Sequence, residues 1–353
     1  MSAHAAPSRV LDDGRVECGL CPHRCRLREG QRGVCFLRRA QNGRVAPDPP
    51  RRISGAAVDP IEKKPLYHFL PGSRSLSFGA IGCNLQCRFC QNWHISRPSD
   101  DSALDPDEAD PVRIADLAIR GGCASVSYTY NEPIVSYEFV LECADAARAR
   151  GARNVAVTAG YIEPEPGATF FSAMDAANVD LKSFDDRFYR RLCGARLGPV
   201  LDTLERIRAM PGCWLEVTTL VIPGENDSEE ELRALAGWLV SRLGPDVPLH
   251  FSAFHPNYRL LDRPPTAPAA LHRARDIALA AGVHHAYTGN VLDDEGSTTR
   301  CHACGTALIR RRGFRVVDHR LVCGACPDCG AVCAGVWADA PARRDFGRAP
   351  PAG

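Results

Sequence analysis

Three cysteines in the stretch GCNLQCRFCQNW, residues 82–93, constrain what this chain can form more than any other feature. Cys83, Cys87 and Cys90 follow a CxxxCxxC spacing, and the next cysteine is Cys123. Thiolates are soft ligands that suit zinc and iron–sulfur clusters, and a structural zinc ion takes four ligands in a tetrahedron. Three thiolates on one loop fit three corners of a [4Fe–4S] cluster, whose remaining iron is then free to bind another molecule. The spacing therefore predicts a metal centre with one open position.

A zinc knuckle is the alternative for the same loop. His94 follows the third cysteine closely and could complete a site with four ligands. The setting favours the cluster, because structural zinc usually holds small domains together, whereas this loop follows the first strand of a large α/β region.

That region extends from about residue 74 to residue 290, where short apolar runs alternate with amphipathic helices such as residues 134–150. The alternation predicts βα units and a parallel sheet. Strands are expected at SLSFGAIG, CASVSYTY, NVAVTAGY, AANVDLKS, WLEVTTLVIPG, PLHFSAFHP and VHHAYTGNV. Six or seven units fall short of the eight in a closed barrel, so we expect an incomplete (βα)6–7 TIM-like barrel. A doubly wound open sheet is the alternative.

Either architecture collects ligands at the carboxyl ends of its parallel strands. We therefore expect several polar residues to surround one mouth together with the cysteine loop. These residues are Glu132, Thr158, Asp180, Lys182 and His255. Asp180 and Lys182 lie two positions apart on one strand, so both side chains point to the same face. Opposite charges inside a barrel need each other or a ligand.

A group of four cysteines precedes the barrel. Cys18, Cys21, Cys25 and Cys35 are spaced as CxxC-x3-C-x9-C. Four thiolates can close a site around zinc or around an auxiliary [4Fe–4S] cluster, and the spacing does not decide between the two.

A second group of four follows the barrel, in the knuckles CHACG and CPDCG on either side of a predicted hairpin. Its members are Cys301, Cys304, Cys326 and Cys329. Two CxxCG knuckles are typical of a zinc ribbon, with a rubredoxin-like iron site or a labile redox pair as the alternative. Cys323 and Cys333 could substitute as ligands. Such a module would contact a partner or cover the mouth of the barrel.

The expected organisation has five segments. They are a flexible N-terminus (residues 1–15), a cysteine-rich segment (16–73), the partial barrel (74–292), a zinc-ribbon-like module (298–338) and a disordered tail (339–353).

Charge and hydropathy indicate the compartment. The 43 Lys and Arg residues nearly balance the 42 Asp and Glu residues, so no broad basic surface for nucleic acid is expected. The N-terminus lacks the apolar run of a signal peptide, and no stretch approaches the length of a membrane span. Seventeen cysteines in a reducing compartment favour metal sites over disulfides. We therefore expect a soluble, cytoplasmic metalloprotein.

The CxxxCxxC loop, with Phe89 before its last cysteine, resembles the hallmark of the radical S-adenosylmethionine (SAM) enzymes. The resemblance implies a [4Fe–4S] cluster whose open iron chelates the amino and carboxylate groups of SAM. It also implies that the reduced cluster cleaves SAM to a 5′-deoxyadenosyl radical, which abstracts a hydrogen atom from a substrate. An electron donor such as flavodoxin or ferredoxin is implied as well.

The segment YNEP, which contains Asn131 and Glu132, resembles the Gly-Gly-Glu-Pro element of activating enzymes in this family. The resemblance implies that Glu132 and its neighbouring backbone bind the methionine ammonium group. Tyr130 and Asn131 replace the two glycines of that element. The structural alternative is a strand-end glutamate that begins a helix, with Pro133 at the first helical position.

Further positions resemble SAM contacts of the same family. Asp180 and Lys182 in DLK resemble a fourth-strand element that reaches the ribose and carboxylate, and Thr158 resembles its third-strand neighbour. His255 in FHP resembles a sixth-strand histidine near the adenosyl group, and Phe89 is grouped with these cofactor contacts. An internal ion pair and a structural histidine are the alternatives.

Over residues 16–337 the order of motifs resembles the radical enzyme of the AmmeMemoRadiSam system, which is related to pyruvate formate-lyase activating enzymes. The motifs are CGLCPHRC, DPIEKKPLYHFLPG, GCNLQCRFCQNW, SYTYNEP and the terminal ribbon. The resemblance implies a link to an AMMECR-type and a Memo-type protein. We expect a radical SAM oxidoreductase that abstracts hydrogen from an unidentified substrate, and the open side of a shortened barrel favours a protein. The alternatives are radical modification of a small metabolite and a non-enzymatic multi-zinc interaction protein.

Overall fold

The computed structural model describes residues 4–98 and 109–338, so the tail predicted for residues 339–353 lies outside the described chain. Its N-terminal part forms two small antiparallel sheets. Their strands are β1 (Ser8–Val10), β2 (Val16–Cys18), β3 (Arg26–Leu27), β4 (Arg38–Gln41) and β5 (Arg44–Pro47). Strand β1 pairs with β2, so part of the segment predicted to be flexible, residues 1–15, belongs to a sheet. A hydrogen bond from the Leu11 N–H to the Arg15 carbonyl (2.8 Å) closes this hairpin.

An eight-stranded sheet forms the centre of the molecule. In spatial order its strands are β6 (Gly55–Pro60), β7 (Arg74–Gly79), β8 (Ser125–Tyr128), β9 (Arg153–Thr158), β10 (Ala176–Asp180), β11 (Trp214–Val221), β12 (Leu249–Ala253) and β13 (Ala286–Gly289). Strands β7 to β13 are parallel neighbours, and β6 pairs antiparallel with β7. Within the described residues, the sheet has seven parallel strands and its two edges are not paired with each other, which confirms the predicted incomplete barrel.

The sheet begins earlier in the chain than the predicted boundary at residue 74. Strand β6 has the sequence GAAVDP, and its first four residues are exposed. Because this strand buries little apolar surface, it carries no alternating pattern that would have revealed it.

Helices connect the parallel strands. They are α1 (Trp93–Ser96), α2 (Pro111–Arg120), α3 (Tyr137–Ala149), α4 (Pro164–Ser172), α5 (Asp186–Phe188), α6 (Leu197–Ala209), α7 (Glu229–Arg242) and α8 (Pro268–Ala280). A 3-10 helix, Pro133–Ser136, precedes α3, and a π-helical turn, Tyr189–Cys193, follows α5. Ser228 caps α7, because its hydroxyl accepts the Glu231 N–H. None of the helices in the described ranges combines the length and apolarity needed to cross a bilayer.

The two faces of the sheet differ in chemistry. On the outer face Phe78 of β7 packs against Phe139 of α3, with ring centroids 5.9 Å apart. On the inner face Ser75 Oγ lies 2.6 Å from Ser127 Oγ. The buried hydroxyl of Thr218 on β11 has no hydrogen-bond partner among the described residues. The interior of the partial barrel is therefore lined with polar side chains at several levels, which suits a polar ligand.

A C-terminal module completes the described chain, with strands β14 (Thr299–Arg300), β15 (Ala307–Arg312) and β16 (Arg315–His319) in one antiparallel sheet. Its last residues pair with the segment ahead of the barrel, because the Val336 N–H donates to the His68 carbonyl at 2.7 Å. Val336 also packs on a cluster that includes Ala176 and Trp214, the first residues of β10 and β11. The module thus lies at the end where the parallel strands begin. The mouth is at the opposite end of the barrel. The hypothesis that the C-terminal module covers the mouth was therefore wrong.

Candidate active site

The loop that carries the three spaced cysteines follows β7 at the mouth, as predicted. Cys83, Cys87 and Cys90 are each half-buried. The Asn131 side chain fixes the start of the loop, since its Oδ1 accepts the Ala80 N–H (3.0 Å) and its Nδ2 donates to the Gly82 carbonyl (2.7 Å).

Gly82 is required at its position for two reasons. Its φ of +84° lies in the left-handed region. A Cβ atom there would also come within 2.1 Å of the Cys35 carbonyl oxygen. The N-terminal segment therefore rests directly on the backbone that precedes Cys83.

The π-helical turn Tyr189–Cys193 holds the other side of the loop. The Gln86 N–H donates to the Cys193 carbonyl at 2.6 Å, and the Arg88 N–H donates to the Leu192 carbonyl at 2.8 Å. The buried Cys193 thiol also hydrogen-bonds to Cys87. No local spacing links Cys193 to the motif, so only the fold reveals this contact.

The arrangement of thiols suits a cluster better than a single ion. Within residues 4–98 and 109–338, two groups of three or more potential ligand atoms lie within 4.8 Å of one another. One group is the C-terminal four cysteines and the other is His68 with His285 and Cys333. The CxxxCxxC thiols are in neither group. A tetrahedral zinc ion holds its sulfur ligands about 2.3 Å away and so draws them together, which disfavours the His94 zinc knuckle.

The same thiols favour the neutral state when no cation is bound. Burial raises the pKa of Cys83 well above its usual value, and the nearby Glu132 carboxylate adds to this effect. The hydrogen bond from Cys193, together with burial, raises the pKa of Cys87. Bound metal ions deprotonate such thiols outright. The donor set therefore fits a positively charged iron–sulfur core.

Glu132 lies at the mouth beside this loop and is almost fully buried. Its carboxylate accepts hydrogen bonds from the Thr158 hydroxyl (2.5 Å), the Ala159 N–H (2.8 Å) and the Ile134 N–H (3.2 Å). Burial raises the pKa of Glu132 to about 7, although the three donors oppose that shift. The structure thus brings together two predicted site residues, Glu132 and Thr158, and leaves a carboxylate that a cationic ligand would stabilise.

Asp180 and Lys182 form an ion pair beside the same loop. Lys182 Nζ lies 2.7 Å from Asp180 Oδ2. Burial works to lower the pKa of Lys182, but the Asp180 carboxylate and the Cys87 sulfur reverse this, and the pKa lies well above its usual value. Lys182 therefore supplies a permanent positive charge near Cys87.

Two other predicted contacts stand apart from this group. Phe89 is buried against Phe188, with ring centroids 5.8 Å apart. His255 lies exposed, two residues beyond the end of β12. Both residues are at the mouth end of the sheet. Phe89 stabilises the CxxxCxxC loop through packing.

The C-terminal cysteines are arranged for a single ion. Cys301 Sγ lies 3.6 Å from Cys329 Sγ, and Cys304 Sγ lies 3.7 Å from Cys326 Sγ. All four sulfur atoms lie within 4.8 Å of one another, which makes the module zinc-ribbon-like. The exposed Cys323 is outside this group.

His68, His285 and Cys333 form a buried group that no spacing in the sequence indicates. His68 Nε2 lies 2.6 Å from the Tyr287 hydroxyl, and its Nδ1 lies 2.7 Å from the Ala334 carbonyl. Since both ring nitrogens already have partners, His68 joins the C-terminal module to the barrel by hydrogen bonds.

Comparisons with known proteins agree with this geometry. Residues 80–236 match the family model described as the Radical SAM superfamily. The chain is 41% identical to the uncharacterized protein MJ0808 of Methanocaldococcus jannaschii, over 91% of this chain and 95% of that protein. It is 31% identical to the isethionate sulfite-lyase activating enzyme of Oleidesulfovibrio alaskensis, over 38% of this chain and 43% of that protein. A radical SAM methyltransferase from Sphaerobacter thermophilus has a similar fold, with a TM-score of 0.50 and 15% identity over 80% of this chain and 75% of that chain.

Proposed function

The chain belongs to the radical SAM superfamily, and from this premise we propose that it cleaves SAM reductively and abstracts a hydrogen atom from a protein substrate. The observation that carries the proposal is the position of Glu132. This buried carboxylate lies close enough to the CxxxCxxC loop to raise the pKa of the Cys83 thiol. A cation held by Glu132 would therefore lie next to the metal centre.

Each residue of the site has a role in this proposal. Cys83, Cys87 and Cys90 hold a [4Fe–4S] cluster through three of its irons. When bound, the cluster supplies the single electron that breaks the sulfonium bond of SAM and releases a 5′-deoxyadenosyl radical. Glu132 binds the methionine ammonium group, and the Thr158 hydroxyl and Ala159 N–H keep its carboxylate oriented.

The ion pair of Asp180 and Lys182 completes the cofactor site in the proposal. Lys182 provides a positive charge for the methionine carboxylate, and Asp180 provides an acceptor for the ribose hydroxyls. The polar inner face, with the unpartnered Thr218 hydroxyl among the described residues, gives further room for hydrogen bonds. Buried polar atoms without partners are rare in folded proteins, which supports a ligand in the barrel interior.

A protein substrate is favoured by the open side of the sheet. Strands β6 and β13 are its two edges and do not pair with each other. Because seven parallel strands do not close the barrel, a peptide segment can reach the interior from the side. The relation to an activating enzyme, whose name describes action on another enzyme, supports the same substrate class.

Deuterium transfer tests the substrate class directly. An extract of the source organism, grown in deuterated medium, would be divided into macromolecules and small molecules and mixed with reduced protein and unlabelled SAM. We expect deuterium in 5′-deoxyadenosine only with the macromolecular fraction, and its loss after protease treatment. The variant with Cys83, Cys87 and Cys90 all changed to Ala is the control. Deuterium in 5′-deoxyadenosine only with the small-molecule fraction would contradict the proposal and would indicate a metabolite substrate.

We also propose a link to an AMMECR-type and a Memo-type protein, on the motif resemblance alone. Co-expression of the three proteins followed by purification of this chain tests a physical link. The expected result is that the three proteins elute together in a fixed ratio. The link would be contradicted if this chain eluted alone and if adding both proteins left deuterium transfer unchanged.

A further inference from the structure

We propose that Cys18, Cys21, Cys25 and Cys35 hold a second [4Fe–4S] cluster, which passes single electrons to the metal centre of the CxxxCxxC loop. The inference rests on the proposed function, because it assigns the electron supply of that same centre. The four cysteines are called the N-terminal site below.

The N-terminal site is a preformed cavity. All four cysteines line it, together with apolar residues and with Arg38 and Asn84. Cys18, Cys21 and Cys35 are buried, and Cys25 is half-buried. Backbone N–H groups of Val34 and of Leu37 and Arg38 hydrogen-bond to the sulfur atoms of Cys25 and Cys35. Such hydrogen bonds to cysteine sulfur are among the features that tune the potential of iron–sulfur clusters.

The separation of the sulfur atoms favours a cluster over zinc. The C-terminal four sulfur atoms all lie within 4.8 Å of one another, as a single ion requires. Within residues 4–98 and 109–338, the N-terminal four do not form such a group. The chain thus contains both arrangements. The compact one suits zinc, and the wider one leaves room for a cluster between the thiolates.

Among the described residues, two buried polar atoms at this cavity lack hydrogen-bond partners, and one is a donor and the other an acceptor. Arg38 is 2% exposed, and its Nε has no hydrogen-bond partner among the described residues. Asn84 is 1% exposed, and its Oδ1 is likewise unpartnered there. The other guanidinium nitrogens of Arg38 bind the Glu138 carboxylate at 2.7 and 2.8 Å, so the residue is held firmly. A buried guanidinium with a spare donor suits an anionic group such as a cluster with four thiolates.

The N-terminal site touches the CxxxCxxC loop. Asn84, the residue after Cys83, lines the cavity itself. Its carbonyl lies 2.7 Å from His23 Nε2, and the Cys35 carbonyl leaves no space for a side chain at Gly82. Because electron tunnelling weakens exponentially with distance, this contact provides a short route between the two sites.

The proposed transfer moves one electron and no atoms. An external one-electron donor reduces the second cluster from the 2+ to the 1+ state. The second cluster then returns to 2+ as the cluster on the CxxxCxxC loop is reduced from 2+ to 1+. The donor is expected to be a small acidic flavin or iron–sulfur protein, because residues 1–45 contain nine arginines and only four acidic residues.

Metal analysis tests the second cluster. After anaerobic reconstitution we expect about eight irons per chain in the wild type and about four when Cys83, Cys87 and Cys90 are changed to Ala. About four irons are also expected when the N-terminal site is changed to Ala at all four positions. Zinc in place of iron at the N-terminal site, or no iron in the first variant, would overturn the proposal.

Electron paramagnetic resonance of the wild type gives a second test that needs no variant. The reduced protein should show two cluster signals, and SAM should alter one of them and leave the other unchanged. A single signal that SAM alters completely would overturn the second cluster.

The relay is tested by comparing two reductants in the variant without the N-terminal cysteines. Dithionite, a small molecule, reaches the active centre directly, so its yield of 5′-deoxyadenosine should stay within about twofold of wild type. With a reduced flavodoxin as donor the rate should fall at least tenfold, while the control variant Cys123→Ser keeps both rates. An unchanged flavodoxin-driven rate would overturn the relay. Absence of product from the wild type with either reductant would contradict the proposed function. The iron count would still show whether the N-terminal site holds a second cluster.

Discussion

Tyr130 adopts a backbone conformation that normally favours glycine. Its φ is +70°. Tyr130 is one of the two residues that replace glycines in the Gly-Gly-Glu-Pro element that this segment resembles. The Tyr130 hydroxyl donates to Asp59 Oδ2 at 2.9 Å, and Lys64 Nζ lies 4.8 Å from the centre of its ring. The positive φ is thus held by contacts with the segment DPIEKKPLYHF. Two lysines of the same segment, Lys63 and Lys64, both bind Asp59.

The two lysines offer a matched pair of variants. Lys64 is 2% exposed and Lys63 is 48% exposed, and they lie 2.7 and 2.9 Å from the Asp59 carboxylate. We expect Lys64→Met to lower the free energy of unfolding by about 2 kcal/mol, because it removes a buried charge-assisted hydrogen bond. Lys63→Met should cost less than about 1 kcal/mol, as exposed ion pairs do. Urea unfolding measures both, and equal losses would contradict the assigned burial.

Glu132 predicts a pH-dependent affinity for SAM. Burial raises its pKa to about 7, so the carboxylate is mostly protonated below that pH and charged above it. In the proposed function the charged form binds the ammonium group of SAM, so affinity should rise by up to roughly tenfold per pH unit below about pH 7 and level off above it.

Binding to protein with an intact cluster, measured from pH 5.5 to 8.5, checks this expectation. Glu132→Gln should weaken binding and remove the slope. Glu163→Gln, which changes a carboxylate at the rim that binds Arg24, should keep it. The same slope in Glu132→Gln would show that another group titrates.

At the scale of elements, β15 connects the C-terminal module to the start of the barrel through Arg311. This side chain is fully buried and donates to the Tyr67 carbonyl at 2.7 Å and to Thr299 Oγ1 at 2.9 Å. Its guanidinium also lies over the Tyr67 ring and 3.7 Å from the buried Glu62 carboxylate. The strand thus contributes a charge to the barrel interior.

Arg311→Met should lower the free energy of unfolding by about 3–5 kcal/mol, because Glu62 would keep a buried charge without its partner. Its neighbour Arg310 is exposed on the same strand, so Arg310→Met should change stability by no more than about 0.5 kcal/mol. The double variant Arg311→Met with Glu62→Gln should recover part of the loss. Similar effects of the Arg310 and Arg311 changes on urea unfolding would contradict the proposed role of β15.

The C-terminal knuckles predict one zinc ion per chain. We expect Cys304→Ser with Cys329→Ser to abolish this zinc and to leave the iron content unchanged, because the two sites are at opposite ends of the barrel. The control Cys323→Ser changes an exposed cysteine of the same module that lies outside the compact group, and it should keep the zinc. Metal analysis of the purified variants checks both. Iron at this site, or zinc loss in the control, would contradict the assignment.

The strands that sequence predicted best are those with continuous apolar runs. All seven parallel strands, from β7 to β13, lie within the predicted runs or within one residue of them. Strand β6 and strand β1 were missed because their stability comes from pairing and not from a buried apolar face.

The position of the C-terminal module was also missed. It depends on a buried arginine, and sequence patterns place arginine at the surface.

The same limit applies to the site. Glu132 and Thr158 could be predicted to meet, because both lie at the carboxyl ends of neighbouring parallel strands. The contact of Cys193 with Cys87 could not, since the two residues are about a hundred positions apart and belong to no common motif. Tertiary contacts of this kind have no local signal.

At the scale of the whole molecule, the two flanking cysteine groups lie at opposite ends of the partial barrel. The segment that carries the N-terminal site contacts the loops after β7 and β9 at the mouth. His23 contacts Asn84 there, and Arg24 contacts Glu163. The C-terminal module contacts the starts of β10 and β11. The N-terminal group therefore lies beside the candidate active site, and the C-terminal group lies at the far end of the barrel.

Formation of 5′-deoxyadenosine is the most direct test of the central claim that the CxxxCxxC loop is the seat of SAM cleavage. Protein reconstituted with iron and sulfide without oxygen would be reduced with dithionite, given SAM and analysed for product. We predict product from the wild type and none from the variant in which Cys83, Cys87 and Cys90 are changed to Ala, whereas Cys123→Ser remains active. Product from the triple variant equal to wild type, or none from a wild type whose reduced cluster is verified spectroscopically, would contradict the account.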